Sequence, residues 1–451
     1  MKQHHKHKKG WIRRVRHRSG GPLHAVAHHK RGVALQFSRF RNAGIGSLTA
    51  FLAVLGPGLL AGLSDDDPAG ITTYSVLGTD HGYRLLWIIP ASTVLLVQFH
   101  LMAVRIGAAS GKGFVGIIRE RWGHVAGYMA VTGLLFANFG TICAEYAGIS
   151  AAGSLVNVPS WLSAPLSGLL ISAVVLLGSF HRIERVLLVI SSTLALYIVD
   201  GFLAAPDWSA VWHYSVVPHM PVNALGWVAI AATLGTTLAP WGLAFIQSYA
   251  VDKKITVADL KWERVDVVMG SLLTGIIGIA IAVACAATLN RAGIHIADAR
   301  DAAAALKPLA GSFATTLFGA GLLGASLLAA AIVPLATSYS IAEGIGAPAS
   351  LDLDSHHFQY FYAAFVGLTV AAVSVVSLPG LPLIPLIYTS QVVNAVMLPL
   401  HVIALQLLAR DSSIMGTAIS GTGNVIAGWI SIALIIACIS ALAWSWAAGL
   451  A

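Results

Sequence analysis

Three consecutive carboxylates interrupt an apolar stretch near the start of the chain. Asp65, Asp66 and Asp67 are followed directly by Pro68, and uncharged apolar sequence continues on both sides. A carboxylate at hydrocarbon depth is costly unless a positive group lies nearby, so an ionised Asp67 suits a cation. Three adjacent side chains cannot converge on one point, and we expect Asp67 at the site and the other two in a vestibule or facing neighbouring helices. The alternative is an exposed acidic turn at the outer end of the first helix.

Three more polar residues lie inside apolar stretches and could take part in the same chemistry. Glu145 is compatible with two roles, a titrating proton relay or a carboxyl hydrogen-bonded to a neighbouring broken helix. Gln391 and Asn394 stand about one turn apart on the same face of a helix. Their amides could supply neutral oxygen ligands to a cation, or they could form hydrogen bonds between helices.

The elements that must position these residues are long apolar runs. Eleven membrane spans are predicted, near 44–79, 83–107, 124–155, 161–180, 184–205, 222–250, 266–290, 312–342, 358–378, 383–408 and 422–448. Proline and glycine break the first span between Ser64 and Gly70 and the sixth between Leu238 and Gly242. The breaks are five spans apart, which is the pattern of two inverted five-helix repeats with a binding site between them. We therefore predict an all-α membrane domain with repeats at about 44–205 and 222–408 and an extra helix at about 422–448.

The overall composition excludes a soluble globular protein. Of the 451 residues, 57% are hydrophobic and 10% are charged, and the mean hydropathy is +0.78. Soluble domains carry roughly 25% charged residues. The expected object is one polytopic membrane domain in contact with the lipid bilayer.

The net charge of +8 comes from an appendage, because residues 1–43 hold 12 of the 27 lysines and arginines and no acidic residue. We interpret this segment as a mostly disordered cytosolic tail against anionic lipid, and nucleic-acid binding is not expected. Loops on the side of the tail then carry eleven basic residues and the opposite loops carry four. This asymmetry satisfies the positive-inside rule and predicts a multi-pass protein of the cell (inner) membrane with a cytoplasmic N-terminus. The oligomeric state is not predicted.

Several motifs occur in an order that resembles a known family. They are Gly56 to Gly62, Asp67-Pro68-Ala69-Gly70, Gly82-Tyr83, Leu85 to Trp87, Glu145 with Gly148, His181 to Glu184, Ala239-Pro240, Ser390-Gln391 and Met415-Gly416. This set is similar to NRAMP divalent-metal transporters, and the similarity extends from about residue 44 over nearly the whole chain. The resemblance implies a metal site made by Asp67, the backbone carbonyls of Ser64 and Thr236, and the side chain of Gln391.

The chain departs from the family pattern at residues that would contact the metal. Gly70 stands where typical members have a coordinating asparagine, Ala239 where they have a methionine, and Trp241 where they have a histidine. Ile142 replaces the usual acidic residue one turn before Glu145, which interrupts the proton route that the family implies. The stretch Asp67 to Ser75 and the sequence Ala-Pro-Trp look closer to the NRAMP-related magnesium transporters.

Physical chemistry also favours Mg²⁺ as the transported ion. Thioether sulfur favours softer transition metals, so its absence removes a contact that discriminates against Mg²⁺. Small side chains at Gly70 and Ala239 leave room for an ion that keeps several of its waters. The metal-site residues expected in all are Asp67, Ser64, Gly70, Thr236, Ala239, Gln391 and Asn394, with Glu145, Asp65 and Asp66 as proton or vestibule residues.

The expected function is transport of a divalent cation by alternating access, with Mg²⁺ favoured over Mn²⁺ and without proton coupling. Two alternatives are a proton-coupled Mn²⁺ or Fe²⁺ symporter and an organic-solute or amino-acid carrier of the same fold. The three aspartates argue against the second, since a substrate carboxylate needs a site without competing anions. No HExxH or GxSG motif is present, so we do not expect an enzyme, and no cofactor is expected besides the transported ion.

Overall fold

The computed structural model describes residues 66–177, 196–306, 311–347 and 359–448, all within the compact unit Gly56–Ala451. Every regular element in these ranges is helical, which confirms the predicted all-α class. The α-helices are α1 (Pro68–His81), α2 (Ile88–Ser110), α3 (Phe114–Leu155), α4 (Ser160–Leu176), α5 (Leu196–Leu203), α6 (Trp208–Val216), α7 (Ala224–Thr237), α8 (Pro240–Asp252), α9 (Leu260–Cys285), α10 (Ala299–Ala303), α11 (Ala314–Ile345), α12 (Gln359–Val376), α13 (Leu383–Leu408), α14 (Ser412–Met415) and α15 (Thr422–Ala447). The basic tail, Ser64 and Asp65 lie outside the described residues.

Each of the eleven predicted spans has a helix at its place in the chain. In the described ranges, eight helical stretches are long and apolar enough to cross a membrane, namely Ile88–Ser110, Phe114–Leu155, Ala224–Asp252, Val257–Asn290, Ala314–Ile345, Gln359–Val376, Leu383–Leu408 and Thr422–Ala447. The shorter apolar helix α4 corresponds to the fourth predicted span. Helices α1 and α5 are the described parts of the first and fifth. The chain is therefore a multi-pass membrane protein.

Both predicted helix breaks coincide with a proline that begins a helix. Helix α7 ends at Thr237 and α8 begins at Pro240, with non-helical backbone between them (Leu238 φ −113°, ψ 47°). Helix α1 begins at Pro68 after an extended Asp67 (φ −72°, ψ 178°). Proline suits the first position of a helix, since its missing N–H would have no partner there. The interruption of the sixth span is confirmed, and the part of the first span that precedes Asp66 lies outside the described residues.

A bend divides α3 into two parts. Gly123 has φ +90° and ψ 172°, a conformation that glycine adopts without a steric penalty. The predicted third span, 124–155, thus begins directly after this bend.

Glycines allow the helices around the two breaks to approach closely. A Cβ on Gly148 of α3 would lie 2.5 Å from Cγ of Pro68, and a Cβ on Gly235 of α7 would lie 2.7 Å from the backbone nitrogen of Ala395 in α13. Neither distance leaves room for a side chain. Small residues at helix contacts are the usual basis of packing in membranes, and here they bring α3 to the start of α1 and α13 to the end of α7.

Polar contacts between connecting segments are consistent with an alternating path through the membrane. The Arg121 side chain, at the connection between spans 2 and 3, bonds to Asp411 between spans 10 and 11 at 2.5 Å. On the opposite side, the Trp87 indole donates to the carbonyl of His219 at 3.1 Å and joins the segment before span 2 to the segment before span 6. Both contacts join loops that an eleven-span path places on the same side.

Candidate metal-binding site

Asp67 lies at the beginning of α1 with its side chain held inward. Its Oδ1 accepts a hydrogen bond of 2.7 Å from the backbone N–H of Gly70, and the residue is 4% exposed. This is an N-cap, in which a carboxylate satisfies an N–H that has no partner within the helix. The positive end of α1 also stabilises the negative charge. The local sequence Asp-Pro-Ala-Gly thus fixes the carboxylate at the break without a basic residue.

Glu145 lies beside Asp67. The two carboxyl groups are close enough to interact, because Gly148, one turn further along α3, packs on the ring of Pro68. Glu145 is fully buried, and neither of its oxygens accepts a hydrogen bond from a donor in the described ranges. A buried carboxylate without a partner is strongly destabilising. The pair therefore provides a place for a cation or a proton.

Asp66 is buried as well, with 2% exposure, and neither of its oxygens has a hydrogen-bond partner within the described part of the chain. The alternative of an exposed acidic turn is therefore wrong for Asp66 and Asp67. No lysine or arginine of the described ranges forms an ion pair with Asp66, Asp67 or Glu145. A negative charge at the first break therefore has no lysine or arginine partner among the described residues.

The sixth span contributes backbone oxygen. In an unbroken helix the carbonyl of Thr236 would accept from residue 240, but Pro240 has no N–H. Thr236 is 3% exposed, so its carbonyl is freed inside the protein. The carbonyl of Ala239 is engaged, since it accepts from Gly242 at 3.0 Å. By the same reasoning Pro68 removes the donor for the carbonyl of residue 64, which lies outside the described ranges.

Gly70 and Ala239 offer no side-chain ligand. The N–H of Gly70 positions Asp67, and Ala239 is the residue that precedes α8 and has no capping side chain.

The tenth span reaches the site through α13. Gly235 packs on the backbone of Gln391, so the turn of Thr236 lies against α13. The amide of Gln391 donates to Ser390 at 2.7 Å and accepts from Asn394 at 3.0 Å. Asn394 also donates to Thr141 of α3 at 2.9 Å. The interhelical hydrogen bond considered from the sequence is therefore present, while Oδ1 of Asn394 is buried without a partner among the described residues.

Sequence reasoning missed several polar residues around this site. Asn138 and Thr141 share the face of α3 that carries Glu145, at spacings of three and four residues, and Asn138 donates to Thr337 of α11 at 2.9 Å. Their helical spacing inside an apolar run was a usable signal. Away from this group, Asp200 of α5 lies near Cys285 of α9 and is a further fully buried carboxylate, and its position in an apolar run was also a usable signal.

Thr237 was also missed. Its hydroxyl bonds to the Tyr74 hydroxyl at 3.0 Å and accepts from Ser92 at 3.1 Å. These bonds join the end of α7 to α1 and α2, so the half of the sixth span before its break is connected to the half of the first span after its break.

The atoms at the two breaks that could coordinate a metal ion are oxygens. In the described ranges no three His, Cys, Asp or Glu side chains come together in a way that could hold a metal by themselves. A cation beside Asp67 would complete its coordination with backbone carbonyls, amide oxygens or water. Such a set favours hard cations such as Mg²⁺ and Mn²⁺.

Known proteins share the sequence pattern and the fold of this chain. The family model "Natural resistance-associated macrophage protein-like" (Nramp) matches residues 58–445. Two relatives are named divalent metal cation transporter MntH. The one from Burkholderia ambifaria is 24% identical over 85% of this chain and 86% of its own length. The one from Caldanaerobacter subterraneus subsp. tengcongensis is 25% identical over 82% of this chain and 87% of its own length.

Solved structures share the fold. The Eremococcus coleocola manganese transporter superposes with a TM-score of 0.69 at 21% identity, covering 88% of each chain. MhsT in complex with L-phenylalanine superposes with a TM-score of 0.57 at 17% identity, covering 85% of this chain and 98% of the other. Since the family model covers most of the sequence and both helix breaks, the chain belongs to the Nramp family.

Proposed function

We propose that this protein moves a divalent metal cation across the cell (inner) membrane by alternating access, with Mg²⁺ as the preferred cargo and Mn²⁺ as a second one. The observation that carries the proposal is the buried pair Asp67 and Glu145 at a helix break, without a lysine or arginine partner in the described ranges. A divalent cation offsets two carboxylates at once. A substrate carboxylate at the same point would be repelled, which disfavours the amino-acid carrier.

The names of the relatives support the substrate class. The MntH proteins are named divalent metal cation transporters, and the solved Eremococcus coleocola protein is named a manganese transporter. These names support a divalent cation as cargo and keep Mn²⁺ among the candidates.

The preference for Mg²⁺ rests on the residues at the second break. Ala239 brings no sulfur, and Gly70 brings no side chain at the first break. Sulfur ligands select softer metals, whereas carboxylate, carbonyl and water suit Mg²⁺. Because Mg²⁺ dehydrates reluctantly and usually keeps several waters, a site with few carboxylates and small neighbouring side chains supports its passage partly hydrated.

Transport without proton coupling is the second part of the proposal. At two positions where the proton-coupled pattern has polar residues, this chain has Ile142 and Trp241, both at most 1% exposed. The membrane potential alone drives uptake, since a divalent cation moving inward gains about 4.6 kcal/mol per 100 mV. The proton-coupled alternative is favoured by Glu145, a buried carboxyl beside Asp67.

The proposal includes an arrangement in the membrane. Residues 1–43 form a cytosolic tail, the repeats span about 44–205 and 222–408, and the helix at about 422–448 is additional. Loops rich in lysine and arginine then face the cytoplasm, as the positive-inside rule requires.

Substitution Asp67→Asn tests the site. Asparagine caps helices about as well as aspartate, so the variant keeps the bond to Gly70 and loses only the charge. We expect uptake of Mg²⁺ into proteoliposomes to fall to background. The matched control is Asp207→Asn, which changes the exposed N-cap of α6, where Oδ1 accepts from Ser209 at 3.0 Å and Ala210 at 3.2 Å. Uptake by Asp67→Asn at the level of the control would refute the site.

Selectivity and coupling are measured in the same proteoliposomes. Competition among Mg²⁺, Mn²⁺, Ca²⁺ and Cd²⁺ is expected to show good Mg²⁺ transport and poor Cd²⁺ transport. A pH-sensitive dye in the lumen is expected to stay constant during Mg²⁺ uptake. Acidification driven by Mg²⁺ or Mn²⁺ would overturn the uncoupled mechanism and favour the proton-coupled symporter.

A further inference from the structure

One carboxylate outside the proposed metal site joins three elements of the fold. Glu343, near the end of α11, is partly buried, and its Oε2 accepts from the backbone N–H groups of Val115 at 3.0 Å and Gly116 at 3.1 Å. Its Oε1 accepts from the hydroxyl of Ser248 in α8 at 2.7 Å. A single side chain thus connects α11, the beginning of α3 and the far end of α8.

The α3 half of this connection is firmly held. The first N–H groups of a helix have no partner inside it, and Gly113, the N-cap of α3, has no side chain to satisfy them. Glu343 takes that role, and its negative charge lies at the positive end of the helix. The Arg119 side chain adds a bond of 3.0 Å to the Glu343 carbonyl. Gly113 lies so close to the Glu343 carboxylate that any Cβ there would collide with it.

The bond from Ser248 to Glu343 is one of three bonds at the C-terminal end of α8. Gln247 donates to the carbonyl of Lys112 at 3.0 Å, and the Tyr339 hydroxyl donates to Asp252 at 2.8 Å. With Ser248 these bonds hold the last turns of α8 against α11 and the beginning of α3. Residues 247–250 are buried.

The other end of α8 adjoins the break in the sixth span. It begins after the non-helical residues Leu238 and Ala239, and beyond them α7 is tied to α1 and α2 through Thr237. Both halves of the sixth span contact α2, since Gly107 of α2 packs on the backbone of Gln247 in α8 and Ser92 bonds to Thr237 in α7. The α8 half also bonds to Glu343 of α11, and bending of the span at the break would break that bond.

We propose that Glu343 is a positioning residue that, through Ser248, keeps α8 closed against α3 and α11 on the lysine-rich side of the membrane. This inference rests on the proposed function, because closure on one side has a role only in alternating access. The ion leaves on that side after the bond between Ser248 and Glu343 has opened. In the open state water takes the place of the serine hydroxyl.

Substitution Ser248→Ala separates this role from that of a simple helix cap. It removes the bond from α8 and leaves the bonds of Glu343 to Val115 and Gly116 in place. The matched control is Ser340→Ala in α11, since among the described residues the hydroxyl of Ser340 bonds only to the carbonyl of Ala336 in its own helix, at 3.1 Å. Ser340→Ala therefore controls for the loss of a buried hydroxyl without breaking a contact between the described helices.

The readout is the distance between spin labels at the exposed positions His124, on α3, and Lys254, after α8, measured by double electron–electron resonance in a Cys438→Ala background. A hydrogen bond to a charged group contributes enough that its loss shifts a two-state ratio by about tenfold. We expect the long-distance population of Ser248→Ala to rise about tenfold over the background protein, and that of Ser340→Ala to stay unchanged. Glu343→Gln, which keeps a neutral acceptor, is expected to give a smaller rise.

The outcomes are distinct from those of the transport assay. An unchanged distance distribution in Ser248→Ala, or an equal change in Ser340→Ala, would overturn the role of Glu343. Absence of Mg²⁺ uptake by the unsubstituted protein would instead refute the proposed function.

Discussion

Substitution Gly148→Ala tests whether the contact between α3 and α1 creates the site. The added Cβ would lie 2.5 Å from Cγ of Pro68 and 2.6 Å from Oγ of Ser326. Carbon atoms in contact stand about 3.5 Å or more apart, and the proline ring cannot rotate away, so the start of α1 must move by about 1 Å. Overpacking of this kind costs about 1–3 kcal/mol, and the helix preference of alanine over glycine returns about 1 kcal/mol. We expect a net destabilisation of up to about 2 kcal/mol.

The displacement also separates Asp67 from Glu145. Geometry errors near 1 Å can reduce the activity of a preorganised site by about 100-fold, and we expect Mg²⁺ affinity by calorimetry to fall by at least about tenfold. The control is Gly367→Ala in α12, where a Cβ meets nothing within 4 Å. That variant is expected to keep its affinity and to unfold at the same or a higher temperature. Equal affinity and stability in the two variants would refute the reasoning.

Two other changes have defined outcomes. Ala239→Met places a thioether at the second break and is expected to raise Cd²⁺ and Mn²⁺ uptake relative to Mg²⁺ uptake. The control is Ala244→Met, at an equally buried position of α8, which is expected to leave this ratio unchanged. Equal uptake ratios in the two variants would contradict the argument that sulfur selects the metal. Asp411→Asn is expected to lower the thermal midpoint at pH 7, because the hydrogen bond from Ser413 and then the guanidinium of Arg121 hold the pKa of Asp411 below its ordinary value. A carboxylate whose pKa is lowered in the folded state stabilises the fold at pH values above its unfolded pKa of about 3.9. The difference in thermal midpoint between the variant and the unsubstituted protein is therefore expected to shrink as the pH falls below about 4. A difference in midpoint that does not change with pH would exclude this linkage.

Much of the architecture follows from local sequence. A membrane excludes unpaired backbone groups, so each long apolar run has to form a helix. The break in the sixth span is local too, because Pro240 cannot donate to Thr236 whatever surrounds it. The same holds for the cap at Asp67, where the donor, Gly70, lies three residues away. These features needed no knowledge of the tertiary structure.

The partners of the polar groups were beyond local reasoning. Glu145 left two roles open, and the choice of Asp67 as its neighbour depends on where α3 crosses α1. Asn394 was equally compatible with a ligand and with an interhelical bond, and it bonds to Thr141, 253 residues away in sequence. The contacts of Glu343 could not be predicted from the sequence, because a single acidic residue near the end of an apolar run is also typical of a solvated helix end.

The sequence by itself determined that the chain crosses a membrane many times, where two of its helices break, and that negative charge lies at the first break. Those properties depend on hydrophobicity, on proline and on neighbours within one helical turn. Only the tertiary structure decided that Glu145 lies beside Asp67, that Asp66 is buried as well, and that Glu343 bonds to Ser248 of α8. Such contacts depend on which helix faces approach each other, and glycines far apart in sequence set those approaches jointly.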